Sequence, residues 1–199
     1  MQYYIIRMEI ARLLIPAELG LYRDHLLRLN AEDRRLRFNI SLDDATIAAI
    51  VMRISPWDTR IIAQFDYRLA VIAAVQITIV DGPAAELALA VDKAERKQGL
   101  AMALMRRALL WSRNRNIPLA SMHFLAENQP VRRIAGRVGM TVRTLQGESE
   151  ACRNLPRASI LSVTAEIGAE HLGLLDYLVK ATRYVSPPMP FVITAPVRS

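Results

Sequence analysis

A short segment of the chain combines residue types that could bind an anion at the start of a helix. The apolar run Ala85 to Val91 leads into a charged turn at Asp92 to Glu95, and Gly99 then opens a run with helical spacing. The first N–H groups of a helix have no partner inside it and lie at the positive end of its dipole. A turn of this kind can therefore hold a pyrophosphate.

The residues around Gly99 favour such a role. Gly99 would let a phosphate approach the backbone closely, and the small Ala101 leaves the first helical turn unobstructed. Arg96 and Lys97 add positive charge. Many helices begin after charged loops without binding anything, so this pattern gains weight only if other parts of the chain agree with it.

Glu86 is the candidate for proton transfer, because it is the only charged residue within the apolar run Ala85 to Val91. A carboxylate within a partly buried strand can take part in proton transfer. Two other interpretations remain open. Glu86 points to solvent from the edge of a strand, or it pairs with an arginine.

The N-terminal part of the chain is predicted to form a strand followed by two helices. Tyr3 to Ile6 is a short β-like run, and a helix is predicted after Pro16 from four apolar residues at helical spacing, namely Leu19, Tyr22, Leu26 and Leu29. Ser41 and Asp44 match a capping box, which predicts a second helix with the apolar stripe Ile47, Ile50, Val51 and Ile54. Ser55-Pro56 ends it.

The middle of the chain is predicted to be a meander of three strands, Arg60 to Phe65, Leu69 to Val80 and Ala85 to Val91. Turns are predicted at Asp66-Tyr67-Arg68 and at Asp81-Gly82-Pro83. The clearest helix of the chain then opens at Gly99, with Leu100, Leu104, Ala108 and Trp111 on one face and Pro118 just beyond its end.

The last third of the chain is predicted to continue the same sheet. Leu119 to Leu125, Met140 to Leu145 and Arg157 to Ile167 are predicted strands, and Pro130 to Val138 is a predicted short helix that ends at Gly139. Leu172, Leu175 and Val179 indicate a further helix. The element order predicts a mixed α/β (α+β) fold without regular βαβ alternation.

The run Arg96-x-x-Gly99-x-Ala101 resembles the Arg/Gln-x-x-Gly-x-Gly/Ala motif of the GNAT superfamily of N-acetyltransferases. The resemblance continues through the strand Leu119 to Leu125, then Asn128, and then a short helix that closes at Gly139-Met140; it covers roughly 60–145. The segment Asn30 to Phe38 also resembles one in bacterial GNAT domains related to protein lysine acetyltransferases.

This resemblance implies a central, mostly antiparallel mixed sheet flanked by helices, and a co-substrate, acetyl-CoA. The implied cofactor-binding residues are Arg96, Lys97, Gln98, Gly99, Leu100 and Ala101 at the pyrophosphate, with the backbone of Leu89, Ala90 and Val91 along the pantetheine arm. Glu86 is the implied general base. Asn128 either contacts the pantetheine or is an ordinary helix N-cap, and both readings stay open.

One position departs from the family's pattern. Many GNAT enzymes carry a tyrosine as general acid where this chain has Ala135. Another group or water then protonates the leaving thiolate, or the thiolate leaves unassisted, or the domain is a weak or inactive catalyst. The main hypothesis is transfer of acetyl to a primary amine on a small molecule, a protein lysine or a protein N-terminus, and the alternative is a non-catalytic acyl-CoA-binding module.

Composition limits the other classes of function. The chain has 199 residues, 52% of them hydrophobic, which fits one domain over 1–185 and a proline-rich tail over 186–199. Cys152 is the only cysteine, and His25, His123 and His171 lack ligand spacing, so no metal is expected. No apolar run approaches the roughly 20 residues that cross a bilayer, so we expect a soluble, cytoplasmic protein without a membrane partner.

The net charge of +7 favours anionic partners. It motivates a third hypothesis, a nucleic-acid-binding protein that uses the arginine-rich stretch 106–143. That stretch has few aromatic residues and no recognisable reading motif, so nucleic acid is the less favoured partner. The tail could close over the cleft or join a homodimer, and the sequence does not decide between them.

Overall fold

The computed structural model describes residues 10–80 and 84–185. Its strands are β1 (Arg12–Leu13), β2 (Thr59–Phe65), β3 (Val71–Val80), β4 (Ala84–Val91), β5 (Leu119–Leu125), β6 (Thr141–Leu145) and β7 (Glu148–Asn154). Its α-helices are α1 (Leu19–Arg28), α2 (Ala31–Phe38), α3 (Asp44–Met52), α4 (Leu100–Asn114), α5 (Gln129–Arg137) and α6 (Ile160–Val185). Single 3-10 turns lie at Pro16–Glu18 and Lys93–Glu95.

The strands form one sheet in the order β1-β2-β3-β4-β5-β7-β6. Every neighbouring pair is antiparallel except β4 and β5, which are parallel because α4 crosses over between them. The predicted mixed α/β fold, with a mostly antiparallel sheet flanked by helices, is confirmed.

Each face of the sheet carries its own apolar cluster, since successive side chains of a strand point to opposite faces. On one face, Ala85 and Leu87 of β4 pack with the buried stripe of α4, including Leu104 and Met105. On the other face, Ala90 of β4 joins a cluster formed with residues of α1 and α3. The strand β4 is therefore fixed from both sides, and its polar side chain Glu86 lies on the α1–α3 face.

Most predicted elements are confirmed. The helix after Pro16 is α1, and it buries Tyr22 and Leu26 as its spacing requires. The three meander strands are β2, β3 and β4, and the predicted strand Leu119 to Leu125 matches β5. The helix that opens at Gly99 is α4, with Gly99 as its N-cap. The short helix and the strand after it are α5 and β6.

Three details of the sequence interpretation are wrong. The helix after Ser41 is capped by Asp43, whose side chain accepts from the Thr46 N–H at 2.8 Å, and not by Ser41. An additional helix, α2, lies between the two predicted ones; none of its residues is buried, so it has no apolar stripe to detect. The predicted strand Arg157 to Ile167 lies largely within α6, and the last strand of the sheet is β7.

The start of α6 shows why that strand was mistaken. Ser159 and Ser162 cap the helix reciprocally, each hydroxyl accepting from the backbone N–H of the other at 3.2 and 2.9 Å. Ile160, Val163 and Ile167 follow at helical spacing, although their β-branched side chains favour strands. The predicted strand Tyr3 to Ile6, the turn Asp81 to Pro83 and the tail 186–199 lie outside the described residues.

Candidate functional site

The parallel strands β4 and β5 pair along only part of their length. Their ladder joins Ala84 to Leu119, Ala85 to Ala120 and Glu86 to Ser121, and it ends there. Both strands continue, β4 to Val91 and β5 to Leu125. Beyond Glu86 the two described strands are thus unpaired with each other, and we call the opening between 87–91 and 122–125 the β4–β5 gap.

The backbone of β4 presents hydrogen-bonding groups to this gap. The Asp92 N–H donates to the Ile72 carbonyl at 2.9 Å, so Asp92 is one of the residues whose backbone groups bond to β3. Backbone groups alternate in direction along a strand, so those of Ala90 face β3 and those of Leu89 and Val91 face the gap. Of the three residues predicted along the pantetheine arm, Leu89 and Val91 therefore offer their N–H groups, whereas Ala90 does not.

The turn that follows β4 ends in an uncapped helix start. Lys97 and Gly99 both have positive φ, 65° and 86°. The left-handed region suits glycine and costs a lysine roughly 1–2 kcal/mol. No side chain of the described residues caps α4 at Gly99, and the Gly99 carbonyl accepts from the Met102 and Ala103 N–H groups. The N–H groups of Leu100 and Ala101 are the ones left over for an anion.

Two contacts tie the end of β4 to the helices α1 and α2. Arg96 binds Asp33 of α2 at 2.7 Å, and its Nε donates to the Val91 carbonyl at 3.2 Å. One carboxylate oxygen of Asp92 accepts a hydrogen bond from Arg28 of α1 at 3.0 Å. The other lies 2.9 Å from Nδ1 of the buried His25, but at an angle that does not meet the geometry of a hydrogen bond. Arg96 therefore positions the turn as well as adding charge to it.

The environment of Asp92 favours its ionised form. Burial alone would raise the pKa of this carboxyl, but the contacts with His25 and then with Arg28 outweigh burial and lower the pKa below its ordinary value. A negative charge is thereby fixed at the start of the turn, facing α1. The predicted anion-binding end of the turn, at Gly99, lies seven residues further along the chain.

Helix α2 connects both sides of the β4–β5 gap. On the β4 side, Asp33 holds Arg96. On the β5 side, Arg35 forms an ion pair with Glu127, and the Leu36 carbonyl accepts from Asn128 Nδ2 at 3.4 Å. The sequence interpretation missed this helix as an element, although it singled out the segment Asn30 to Phe38 by resemblance. The available signals in that segment were the N-cap Asn30, the acidic first turn and the basic last turn.

Asn128 is the N-cap of α5. Its Oδ1 accepts from the Val131 N–H at 3.3 Å, and the residue is only 5% exposed. The N-cap reading of this residue is therefore confirmed, and its amide is committed to α5 and α2. A contact with the pantetheine would have to come in addition to these bonds.

Glu86 lies where β4 and β5 part. Its neighbours across the sheet are Thr78 of β3 and Ser121 of β5, and His123 follows on the same face of β5. The Glu86 side chain is half-buried, and it forms no hydrogen bond or ion pair with any residue that the structure describes. The alternative in which it pairs with an arginine is therefore wrong within this part of the chain.

A second polar group on the Glu86 face was not predicted. The Tyr22 hydroxyl donates to Gln76 Oε1 at 3.1 Å, and Arg37 donates to both of these oxygens at 2.9 and 3.0 Å. Gln76 Nε2 in turn donates to Thr78, the direct neighbour of Glu86. Gln76 interrupts the apolar run of β3, which was a signal for a buried polar network.

Ala135 is fully buried in the core cluster on the α4 face. Nothing on α5 replaces the tyrosine expected there, since this helix reads QPVRRIAGR. The described residues contain no group of three His, Cys, Asp or Glu side chains that could hold a metal, and none of their helices is both long and apolar enough to cross a membrane.

A model of the acetyltransferase (GNAT) family matches residues 17–140, which is more than half of the chain. The chain belongs to this GNAT family. Its identification as an N-acetyltransferase and its fold assignment are thereby confirmed. The matched range contains the β4–β5 gap, the turn at Gly99 and helix α5, so the features described above lie inside the GNAT domain.

Solved structures of other GNAT proteins share this fold at low sequence identity. The GNAT domain of S. lividans PAT is 17% identical with a TM-score of 0.62, covering 73% of this chain and 89% of that one. Spermidine N-acetyltransferase from Vibrio cholerae, in complex with CoA and spermine, is 16% identical with a TM-score of 0.58 and coverages of 72% and 94%. A GNAT acetyltransferase from Streptococcus pneumoniae is 13% identical with a TM-score of 0.59 and coverages of 74% and 99%. No curated protein matches the chain in sequence.

Proposed function

We propose that the chain transfers the acetyl group of acetyl-CoA directly to a primary amine, on a small molecule or on a protein lysine or N-terminus. One observation carries the proposal. The β4–β5 gap, with its free backbone groups, continues directly into the uncapped start of α4. An amide-containing arm that ends in a pyrophosphate matches these two features in order.

The residues present fit such a co-substrate. The N–H groups of Leu89 and Val91 can bond the amide carbonyls of the pantetheine as an added strand would. The N–H groups of Leu100 and Ala101, at the positive end of the α4 dipole, suit the pyrophosphate. Lys97 supplies the exposed charge of the turn, while Arg96 is partly neutralised by Asp33.

Glu86 is placed for proton transfer from the acceptor amine. It lies at the closed end of the gap and on the face opposite α4, so an amine that approaches from the α1–α3 face meets it first. Glu86 accepts the amine proton directly or through water while the new N–C bond forms and the C–S bond breaks. N–H groups of the gap stabilise the oxyanion that develops on the thioester oxygen.

The thiolate that leaves receives no proton from α5, because Ala135 is buried and carries no acidic group. In the proposed reaction the thiolate departs unassisted or is protonated by water. The second candidate function, a module that binds acyl-CoA without turnover, is favoured by this same observation. Both candidates require binding of the co-substrate, and they differ only in whether the acetyl group is then transferred.

Binding and turnover of the Glu86→Gln variant separate these candidates. Acetyl-CoA binding is measured by calorimetry, and CoA release is measured with a panel of polyamines, lysine peptides and peptides with free N-termini. We expect unchanged binding and a turnover rate about 10²–10⁴-fold lower, because a general base contributes that much. Glu148→Gln, the same change at an exposed residue of β7, is the matched control and should behave as the unmodified chain.

Three outcomes would contradict parts of the proposal. Lack of saturable acetyl-CoA binding would remove both candidates together. Binding without turnover on any amine of the panel would favour the non-catalytic module. Turnover in Glu86→Gln within twofold of the unmodified chain would show that another group, or none, takes the proton.

A further inference from the structure

Helix α6 lies against the side of the domain formed by α4 and β1. It contains 26 residues and is therefore about 39 Å long. Gly173 allows its close approach to β1, since a Cβ there would lie 2.6 Å from the Ala11 carbonyl oxygen. Tyr177 packs edge-on against Phe65 with ring centroids 5.1 Å apart, and the Arg12 guanidinium lies 3.9 Å from the Tyr177 ring centre.

The face of α6 that contacts the domain is polar. Glu166 binds Arg115 at 2.6 Å, and Glu170 pairs with Arg107 of α4. Lys180 donates to the Phe65 carbonyl at 2.8 Å and to Asp176 at 2.5 Å. Glu166, Glu170 and Lys180 thus attach the helix to its own domain, and Asp176 pairs with Lys180 within the helix.

The opposite face of α6 is apolar and exposed. We call it the outer face, and its large hydrophobic residues, between 39% and 84% exposed, are Ile160, Leu161, Val163, Ile167, Leu172, Leu174, Leu175, Leu178 and Val179. They recur at helical spacing over the whole length of the helix. More than half of the exposed large hydrophobic residues of the described chain lie on this one helix. An isolated soluble domain rarely leaves such a patch uncovered.

The extent of the outer face matches what a stable dimer needs. Nine large side chains that are about half exposed present on the order of 1,000 Å² of surface, and a standard interface buries about 800 Å² per partner. The outer face carries no carboxylate, and its only basic residue besides His171 is Arg183. Two copies with a charge of +7 each can therefore meet here with little direct repulsion.

We propose that the outer face of α6 binds the same face of a second copy of this chain in a two-fold symmetric dimer. A two-fold axis perpendicular to α6 pairs the two helices antiparallel, and a surface that is apolar along its whole length is self-complementary in that arrangement. The C-terminal segment 186–199 is a poorer occupant, since its few apolar residues, among them Phe191, Val192 and Ile193, cannot cover nine large side chains.

A lipid surface fits the outer face less well. Interfacial helices that bind anionic lipids carry lysine and arginine along their polar side. The polar side of α6 instead carries Glu166, Glu170 and Asp176, each already paired with a basic residue of the domain or of the helix itself. The charge pattern of α6 therefore favours a protein partner over a lipid surface. The outer face of a second copy is such a partner.

The mass of the full chain in solution tests the dimer directly. Sedimentation equilibrium of the unmodified chain at about 20 µM should give twice the monomer mass of 22.4 kDa. Leu175→Glu places a charge in the centre of the interface and should weaken dimerisation at least 100-fold, because that charge would be buried without a partner. Leu145→Glu makes the same substitution at a 76% exposed residue of β6 and should leave the dimer intact.

Circular dichroism of each variant verifies the fold, and Ile167→Glu serves in place of Leu175→Glu if that variant fails to fold. An unmodified chain that is monomeric at 20 µM would overturn the proposal. So would a Leu175→Glu variant that dimerises as tightly as the unmodified chain. A monomer that co-sediments with vesicles of phosphatidylcholine and phosphatidylserine would assign the outer face to a lipid surface instead.

Discussion

Replacing Ala101 by glutamate should stabilise α4 and weaken co-substrate binding at the same time. Ala101 is the second residue of α4 after the N-cap Gly99, and no acidic residue lies in the first turn. A carboxylate there interacts favourably with the helix dipole, by about 0.3–1 kcal/mol. The unfolding midpoint should therefore stay the same or rise slightly.

The same carboxylate would lie beside the phosphates that the N–H groups of Leu100 and Ala101 are proposed to bind. At a separation of about 6 Å, two unit charges of like sign repel by about 1.4 kcal/mol with an effective dielectric constant of 40, and by about 2.8 kcal/mol with one of 20. The dissociation constant of acetyl-CoA should therefore rise by about 10- to 100-fold.

Ala45→Glu is the matched control. Ala45 is exposed and is also the second residue of its helix, α3, whose N-cap is Asp43. Both variants are compared by calorimetric titration with acetyl-CoA and by thermal unfolding. Ala45→Glu should bind as the unmodified chain does. If Ala101→Glu folds and binds acetyl-CoA as tightly as Ala45→Glu, the pyrophosphate does not lie at the start of α4.

Two further predictions concern the supports of the site. Asp92→Asn should lower the free energy of unfolding by about 1–3 kcal/mol at neutral pH, since it removes a charged partner of Arg28 and His25. Because the pKa of Asp92 is lowered by folding, its stabilisation is present above the unfolded pKa of about 3.9 and is lost as the pH falls below it. Denaturant titrations of both proteins should therefore converge below pH 4, and a constant difference would contradict this. Ala135→Tyr should destabilise the fold by about 1–3 kcal/mol through overpacking, and a variant of unchanged stability would show that α5 has room for a tyrosine.

The sequence predicts the sheet and its major helices because their burial leaves a periodic pattern. β5 is matched residue for residue, and α4 is recognised from the stripe of Leu100, Leu104, Ala108 and Trp111, which are all buried. The cofactor turn is recognisable for a different reason. A glycine with positive φ at a helix start leaves a local signature that does not depend on packing.

Helix α2 shows what the sequence does not disclose. None of its eight residues is fully buried, and the helix is held by the N-cap Asn30 and by ion pairs such as those of Asp33 and Arg35. Pairs between residues far apart in the chain leave no local pattern, so its position across the β4–β5 gap could not be predicted. The direction of each backbone N–H in β4 likewise depends on the register with β3.

Helix α6 does have a periodic pattern, but the pattern predicts the wrong orientation of the helix. Its apolar residues lie outside and its charged residues inside, so the usual rule that the apolar stripe faces the core would orient the helix incorrectly. Its first residues, rich in β-branched side chains, favour a strand until the reciprocal cap of Ser159 and Ser162 is considered. The proposed dimer would explain why the apolar residues of α6 face outward, because the outer face would then be buried.

Hydrogen exchange of individual backbone amides, followed by NMR, tests the central claim that acetyl-CoA occupies the β4–β5 gap. On addition of saturating acetyl-CoA, the amides of Leu89 and Val91 should gain protection, together with those of Leu100 and Ala101. The Ala90 amide, which already faces β3, serves as the internal reference and should change little. Protection that is confined to other elements, with Leu89 and Val91 unchanged, would contradict the account.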